Sequence, residues 1–146
     1  MDRKRVLWID NDPAYLRPYL EEFEDSEYEV DVAAAVSDGA TLLHTRAYAL
    51  LILDVMIPTR SLEEENDYSP EDTKLGYCTG LVFYRRHREF LMQQRIAALV
   101  LTIRLDEPMR EEFFASGLPR NAFATKYDMS DPAVLVEKVR SLVDRT

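Results

Sequence analysis

Asp10, Asn11, Asp54, Thr102 and Lys126 each sit at the C-terminal end of a short apolar run. Asp10 and Asn11 close Val6-Leu7-Trp8-Ile9, Asp54 closes Leu50-Leu51-Ile52-Leu53, Thr102 closes Ala98-Leu99-Val100-Leu101, and Lys126 closes Ala122-Phe123-Ala124-Thr125. If those runs are neighbouring parallel strands, all five polar groups converge on one sheet edge. In open α/β sheets, the crevice outside the carboxyl ends of the strands is where ligands bind. Carboxylates, an amide, a hydroxyl and an ammonium gathered there suit a metal ion together with a phosphoryl group.

The elements that must position these groups alternate along the chain. Asp12-Pro13 is a cap residue followed by proline at the first helical position, and it opens a helix with Leu16, Leu20 and Phe23 on one stripe. Pro18 removes a backbone donor inside that helix and is expected to bend it or loosen its first turns. Tyr28 to Ala35 alternates as a strand does, Ser37 is placed as the cap of a helix carrying Leu42 and Leu43, and an apolar run follows from Ala49 to Ile57. From Pro58 to Gly76 the rhythm breaks. This segment reads as a long acidic loop, an insertion at about 58–78 carrying Glu63-Glu64-Glu65, Asp67, Glu71 and Asp72, and a mobile insertion is expected somewhat more than a lid. Helices are then predicted over Thr79 to Arg95, over Glu107 to Ala115, and after Asp131-Pro132, the last with a stripe of Leu135, Val136, Val139, Leu142 and Val143. Five βα units predict a doubly wound parallel sheet with helices on both faces, built from residues 1–146 as a single domain.

The 146 residues are 47% hydrophobic, enough to bury a core and ordinary for one globular domain. Eighteen basic against twenty-seven acidic residues leave a net charge of −9, which argues against direct nucleic-acid binding. Cys78 is the only cysteine and cannot form an intramolecular disulfide; with neither a long apolar stretch nor a signal-peptide pattern, the expected compartment is the cytoplasm, with no membrane contact. Arg85-Arg86-His87-Arg88 reads as a solvated helical face that could serve as a docking patch for an acidic partner. His44 and His87 fall in helical segments away from the strand ends, so neither reads as a ligand.

Val-Leu-Trp-Ile-Asp10-Asn11-Asp12-Pro13, Leu-Leu-Ile-Leu-Asp54-Val-Met-Ile-Pro58, Val-Leu-Thr102 and Ala-Thr-Lys126 resemble the signature strand ends of response-regulator receiver domains of two-component signalling, the chemotaxis receiver among them. The resemblance spans the chain apart from the segment between Pro58 and Gly76. It implies a flavodoxin-like five-stranded sheet of order 2-1-3-4-5. It also implies a phosphorylation switch in which Asp54 accepts a phosphoryl group from a sensor histidine kinase or phosphotransfer protein. The chemistry agrees, because a carboxylate attacking a phosphoryl group meets like charge that a divalent cation and a lysine must offset. By the resemblance, Asp10, Asn11, Asp54 and the backbone carbonyl of Met56 hold the metal, for which hard oxygen ligands favour Mg²⁺. Lys126 and the Thr102 hydroxyl engage phosphoryl oxygens, and Thr102 and Phe123 stand at the switch positions. Such a protein is not an enzyme beyond its own phosphotransfer and dephosphorylation. Its expected partners are the kinase, a downstream protein target reached through the last two βα units, and a second copy in a homodimer. With the chain stopping soon after Val143, a stand-alone receiver is expected.

Three departures bear on the chemistry. Asn11 stands where the family has a second acid and brings no charge, so weaker metal binding is expected, with Asp12 or an acid from the 58–78 segment as a substitute. Ile103 stands where the family has a small residue and is expected to crowd the phosphoryl group. Tyr127 replaces the common proline after the lysine, which argues against a cis peptide there. These departures leave a second reading, a degenerate receiver that acts as a phosphorylation-independent interaction module. A third reading takes Asp10-x-Asp12 as the nucleophile and acid/base of a haloacid-dehalogenase-type phosphatase. It lacks a later acidic pair and room for a cap domain, and it leaves Asp54 unexplained.

Overall fold

The computed structural model describes residues 3–103 and 106–145. Strands β1 (Lys4–Ile9), β2 (Tyr28–Ala33), β3 (Leu50–Leu53), β4 (Ala97–Thr102) and β5 (Phe123–Thr125) form one parallel sheet in the order β2-β1-β3-β4-β5, as expected. Val6 to Ile9 and Leu50 to Leu53 are wholly buried, the continuous apolar reading that a parallel strand covered on both faces requires. Around the sheet lie α1 (Pro13–Glu24), α2 (Val36–Thr45), α5 (Thr79–Gln93), α6 (Glu107–Ala115) and α7 (Pro132–Asp144). Helices α1 and α7 pack together, while α5 packs between α2 and α6.

Helix starts follow local chemistry. Asp12, Asp106 and Asp131 cap α1, α6 and α7 by accepting the amides of Tyr15, Met109 and Ala133, each with proline in the first two helical positions. Helix α1 nevertheless runs through Pro18. The carbonyl that loses its donor there belongs to Ala14, and both residues are exposed, so the missing bond falls on the outer side of the helix. Several strand and helix ends retreat from the expected ones: β2 stops at Ala33, β3 at Leu53, and α5 at Gln93.

The segment after Pro58 differs from the aperiodic loop that its sequence suggests. It holds two short helices, α3 (Leu62–Asp67) and α4 (Pro70–Thr73), capped by Ser61 and Ser69 through the amides of Glu64 and Asp72. Glu64 is only 3% exposed. Its Oε1 accepts the Arg60 amide at 2.9 Å, and its Oε2 accepts the Ser37 amide at 3.1 Å as well as the Ser37 hydroxyl. Ser37 is therefore not the cap of α2; the cap position is Ala35, which makes no side-chain bond. The carboxylate that satisfies this helix N-terminus comes from α3, where the helix dipole favours its charge.

The basic run on α5 is solvated at Arg85, Arg86 and Arg88, as expected, and also makes side-chain contacts. Arg85 donates to the Ser116 hydroxyl at 2.9 Å and faces Glu112 at 3.8 Å, Arg86 lies 4.3 Å over the Tyr68 ring, and a ring nitrogen of His87 lies 3.1 Å from one of His44. Burial and the neighbouring His44 and Arg86 lower the His87 pKa to about 4. We expect Glu64→Ala to cost about 1–3 kcal/mol, the range for orphaning buried donors. Hydrogen exchange should show lost protection at the Ser37 and Arg60 amides. Unchanged protection at both would contradict the anchoring role.

Candidate functional site

Parallel register brings the C-terminal ends of β1, β3, β4 and β5 level. Ile9 pairs with Leu53, Leu53 with Val100, and Thr102 with Thr125. Just past those ends the backbone is still tied across: the Asp54 amide donates to the Ile9 carbonyl at 3.0 Å and the Lys126 amide to the Thr102 carbonyl at 2.6 Å. Asp10, Asp54, Thr102 and Lys126 are thereby gathered at one edge, and all four are buried.

One ammonium faces two carboxylates. Lys126 Nζ lies 2.8 Å from Asp10 Oδ2 and 3.6 Å from Asp54 Oδ2. Asp10 Oδ1 accepts the Asp12 amide at 3.0 Å and Asp54 Oδ1 the Val55 amide at 2.8 Å. Asp10 Oδ2 is close to the ammonium but receives no aligned hydrogen bond. Burial first, and the Asp10 charge second, push the Asp54 pKa up to about 6, with Lys126 acting in the opposite sense. When both acids are ionised, one negative charge is left without a partner. That deficit, the buried Asp10 Oδ2 acceptor and the hard carboxylate oxygens of Asp10 and Asp54 are chemistry that suits a divalent cation.

Other sequence expectations at the site divide: those for Asp12 and Ile103 are revised, while the expectation of a non-cis bond before Tyr127 is met. Asp12 Oδ1 accepts the Tyr15 amide at 3.2 Å as the cap of α1, and Glu64 is committed to the start of α2. Among the described residues no three acidic, histidine or cysteine side chains gather to hold a metal. Ile103 is 58% exposed and turns much of its bulk to solvent instead of into the site, and the Lys126–Tyr127 peptide is trans. Phe123 is half-buried, with its ring centroid 5.8 Å from that of Phe113 and 6.1 Å from that of Phe114, outside the acid cluster. Thr102, Met56 and Phe123 line a small cavity with Tyr77 and Asp106, whose side chains are joined by a hydrogen bond from the tyrosine hydroxyl.

Two site residues, Gly80 and Tyr15, and one that orders the neighbouring segment, Glu64, were not singled out from the sequence. Gly80 lets α5 start against the strand end: its amide donates to the Val55 carbonyl at 2.8 Å, and a Cβ would lie 2.2 Å from the Asp54 carbonyl oxygen. The signal was a glycine in the first turn of a helix. Glu64 stood in the Ser61-x-x-Glu64 spacing of a capping box. Tyr15 lies with its ring 4.4 Å from Lys126 Nζ, a long-range contact that no local pattern announces.

Two outcomes follow from this geometry. A raised carboxyl pKa in the folded state means that Asp54 favours folding below about pH 4 and that this contribution is lost as the pH rises through about 6. Asp54→Asn should therefore stabilise the protein by about 1–3 kcal/mol at pH 7. Denaturant unfolding at several pH values should show the gain shrinking as the pH falls from 6 to 4; a pH-independent or negative effect would contradict the burial argument. Gly80→Ala places the new methyl against backbone and should cost about 1–3 kcal/mol, read as a lowered unfolding midpoint. An unchanged midpoint would show that α5 is free to shift.

Comparison with known protein families finds no match, and comparison with curated proteins finds none either. Solved structures do match over nearly the full length. A CheY-like response regulator receiver domain from Methanospirillum hungatei JF-1 superposes with a TM-score of 0.72 at 20% identity, covering 98% of this chain and 95% of that one. A Francisella response regulator receiver domain gives 0.72 at 19% identity, with 98% of both chains covered. The Vibrio cholerae chemotaxis protein CheY4 gives 0.69 at 18%, covering 96% of this chain and 98% of that one. The chain has the doubly wound fold of the CheY-like response-regulator receiver domains.

Proposed function

We propose that the protein is a phosphorylation-dependent signalling switch of a two-component system. The observation that carries the reading is a buried carboxylate, Asp54, at the end of the central strand, with a second carboxylate and an ammonium converging on it. An Asp54 oxygen attacks the phosphorus of a phosphohistidine on a sensor kinase or phosphotransfer protein. The P–N bond breaks as the P–O bond forms, and the product is an acyl phosphate. Mg²⁺, held by Asp10, Asn11, Asp54 and the Met56 carbonyl, would supply charge neutralisation as negative oxygens approach each other. Lys126 provides the remaining positive charge, and the Thr102 hydroxyl is the donor for a phosphoryl oxygen. Lys126 moves between partners as the charge on Asp54 changes, so phosphorylation alters contacts on β5 and on the connection after β4.

Output passes to a downstream protein, or to a second copy in a homodimer, through the surface of the last two βα units. No helix among the described residues is long and apolar enough to cross a membrane, and the proposed setting is the cytoplasm, where kinase and receiver meet. The competing reading, an interaction module that keeps the fold without the chemistry, is favoured by Asn11 and by the limit of two carboxylates at the site.

Intact mass after incubation with Mg²⁺ and acetyl phosphate separates the readings. A gain of one phosphoryl mass that disappears in Asp54→Asn is the expected result. Asp10→Asn should slow the gain strongly by removing the metal carboxylate. No gain with acetyl phosphate or with a phosphorylated histidine kinase domain would favour the interaction module.

A further inference from the structure

Tyr15 is the aromatic residue nearest the charged cluster that the reaction above does not use. It sits in the first turn of α1, whose start is fixed by the Asp12 cap, and its ring is part of an aromatic stack. The Trp8 ring lies at 6.3 Å, nearly perpendicular to it, and the Tyr19 ring at 4.9 Å. Trp8, on β1 two residues before Asp10, is wholly buried. The ring's place is therefore set by packing on the β1 face, and not by the charges beside it.

Lys126 Nζ lies 4.4 Å from the centre of that ring, well within cation–π range. The same nitrogen is 2.8 Å from Asp10 and 3.6 Å from Asp54. The ammonium is thus held between an aromatic face and the Asp10 carboxylate, and stands further from the acceptor. The Tyr15 hydroxyl is buried, beside the Tyr19 side chain and without an aligned hydrogen bond. Burial, then Tyr19, then the charges of Asp10 and Asp54 keep the phenol well above its usual pKa, so the ring stays neutral. The contact Tyr15 makes with the cluster is through its ring.

We propose that Tyr15 is a positioning residue whose ring seats the Lys126 ammonium on Asp10, and thereby sets how readily a divalent cation can take that carboxylate. The seating follows from geometry alone; its consequence for metal binding rests on the phosphoacceptor reading. An ammonium pressed onto Asp10 by the ring is a resident counter-ion that an incoming cation must displace. In this chain Asn11 already weakens the metal's hold, so the strength of that resident contact matters more. Removing the ring loosens the competitor, and removing only the hydroxyl leaves it in place.

The test compares wild type, Tyr15→Phe, Tyr15→Leu and Tyr15→Met, each checked for native circular dichroism and cooperative unfolding. The methionine variant offers a flexible filler beneath Trp8 in case leucine does not fold. Two readouts are used. The first is the side-chain ammonium signal of Lys126 in ¹⁵N NMR, visible only when its protons are protected from exchange. The second is affinity for Mg²⁺ alone, followed by fluorescence of Trp8, the only tryptophan. The expected result is a protected ammonium and unchanged Mg²⁺ affinity in Tyr15→Phe. In Tyr15→Leu or Tyr15→Met the ammonium signal is lost and Mg²⁺ binds about 2- to 30-fold tighter, the span of a cation–π contact from exposed to desolvated. In a Lys126→Met background the Tyr15 substitutions should no longer change Mg²⁺ affinity. If Tyr15→Phe behaves like Tyr15→Leu, or if the folded leucine and methionine variants keep the protected ammonium, the proposal is overturned. Should the wild-type chain take no Mg²⁺, the metal half of the proposal and the metal-dependent reading above fail together, and the ammonium signal decides the seating on its own.

Discussion

A single buried ammonium set between two buried carboxylates is the interaction on which the rest of the structure depends. Taking three charges out of water costs several kcal/mol for each ion unless the geometry repays it, and here the repayment is incomplete. At Asp54, burial and the Asp10 charge outweigh the lysine and push the pKa up to about 6. The site therefore stores an electrostatic imbalance, and a cation or a changed charge on Asp54 redistributes it. The sheet makes this tolerable. Four strand ends locked by parallel register, over an apolar interior of Val6 to Ile9, Leu50 to Leu53 and Leu99 to Leu101, hold the charged groups where none can retreat into solvent.

The same logic explains the crowded approach of α5. For a helix to begin directly beside the end of β3, the residue at the contact must lack a side chain, and Gly80 meets that need. Upstream, the segment bearing α3 and α4 is tied down by Glu64 on α2 and by Tyr68 beneath Arg86. The acidic stretch is thus partly internal: one of its carboxylates completes the start of a neighbouring helix, while most of the others remain at the surface. Anchoring at this point leaves Tyr77 to meet Asp106 across the cavity beside Thr102.

What could be read from the sequence was what chain-local patterns encode. Asp10, Asp54, Thr102 and Lys126 were legible because each ends an apolar run, and parallel pairing converts that one-dimensional position into proximity. The α7 stripe and the Asp-capped, proline-led helix starts were legible for the same reason. Contacts chosen by tertiary packing were not. Ser37 reads as a cap until Glu64 arrives from 27 residues away, and the solvated Arg85 to Arg88 run gives no sign of the contacts it makes with Ser116, Tyr68 and His44. Pro18 was expected to bend the helix or loosen its first turns because it removes a donor; the affected carbonyl lies among exposed residues, and the helix continues through it. Ile103 was read as an obstruction because its bulk is visible in sequence and its direction is not.

The central claim is that Asp54, and not its neighbour Asp10, takes the phosphoryl group. The most direct measurement is borohydride trapping: the protein is treated with acetyl phosphate and Mg²⁺, reduced so that any acyl phosphate becomes an alcohol, and mapped by tandem mass spectrometry. The account predicts homoserine at position 54 with aspartate intact at positions 10 and 12. Homoserine at position 10 or 12 with Asp54 untouched would contradict it, and would move the chemistry to the end of the first strand.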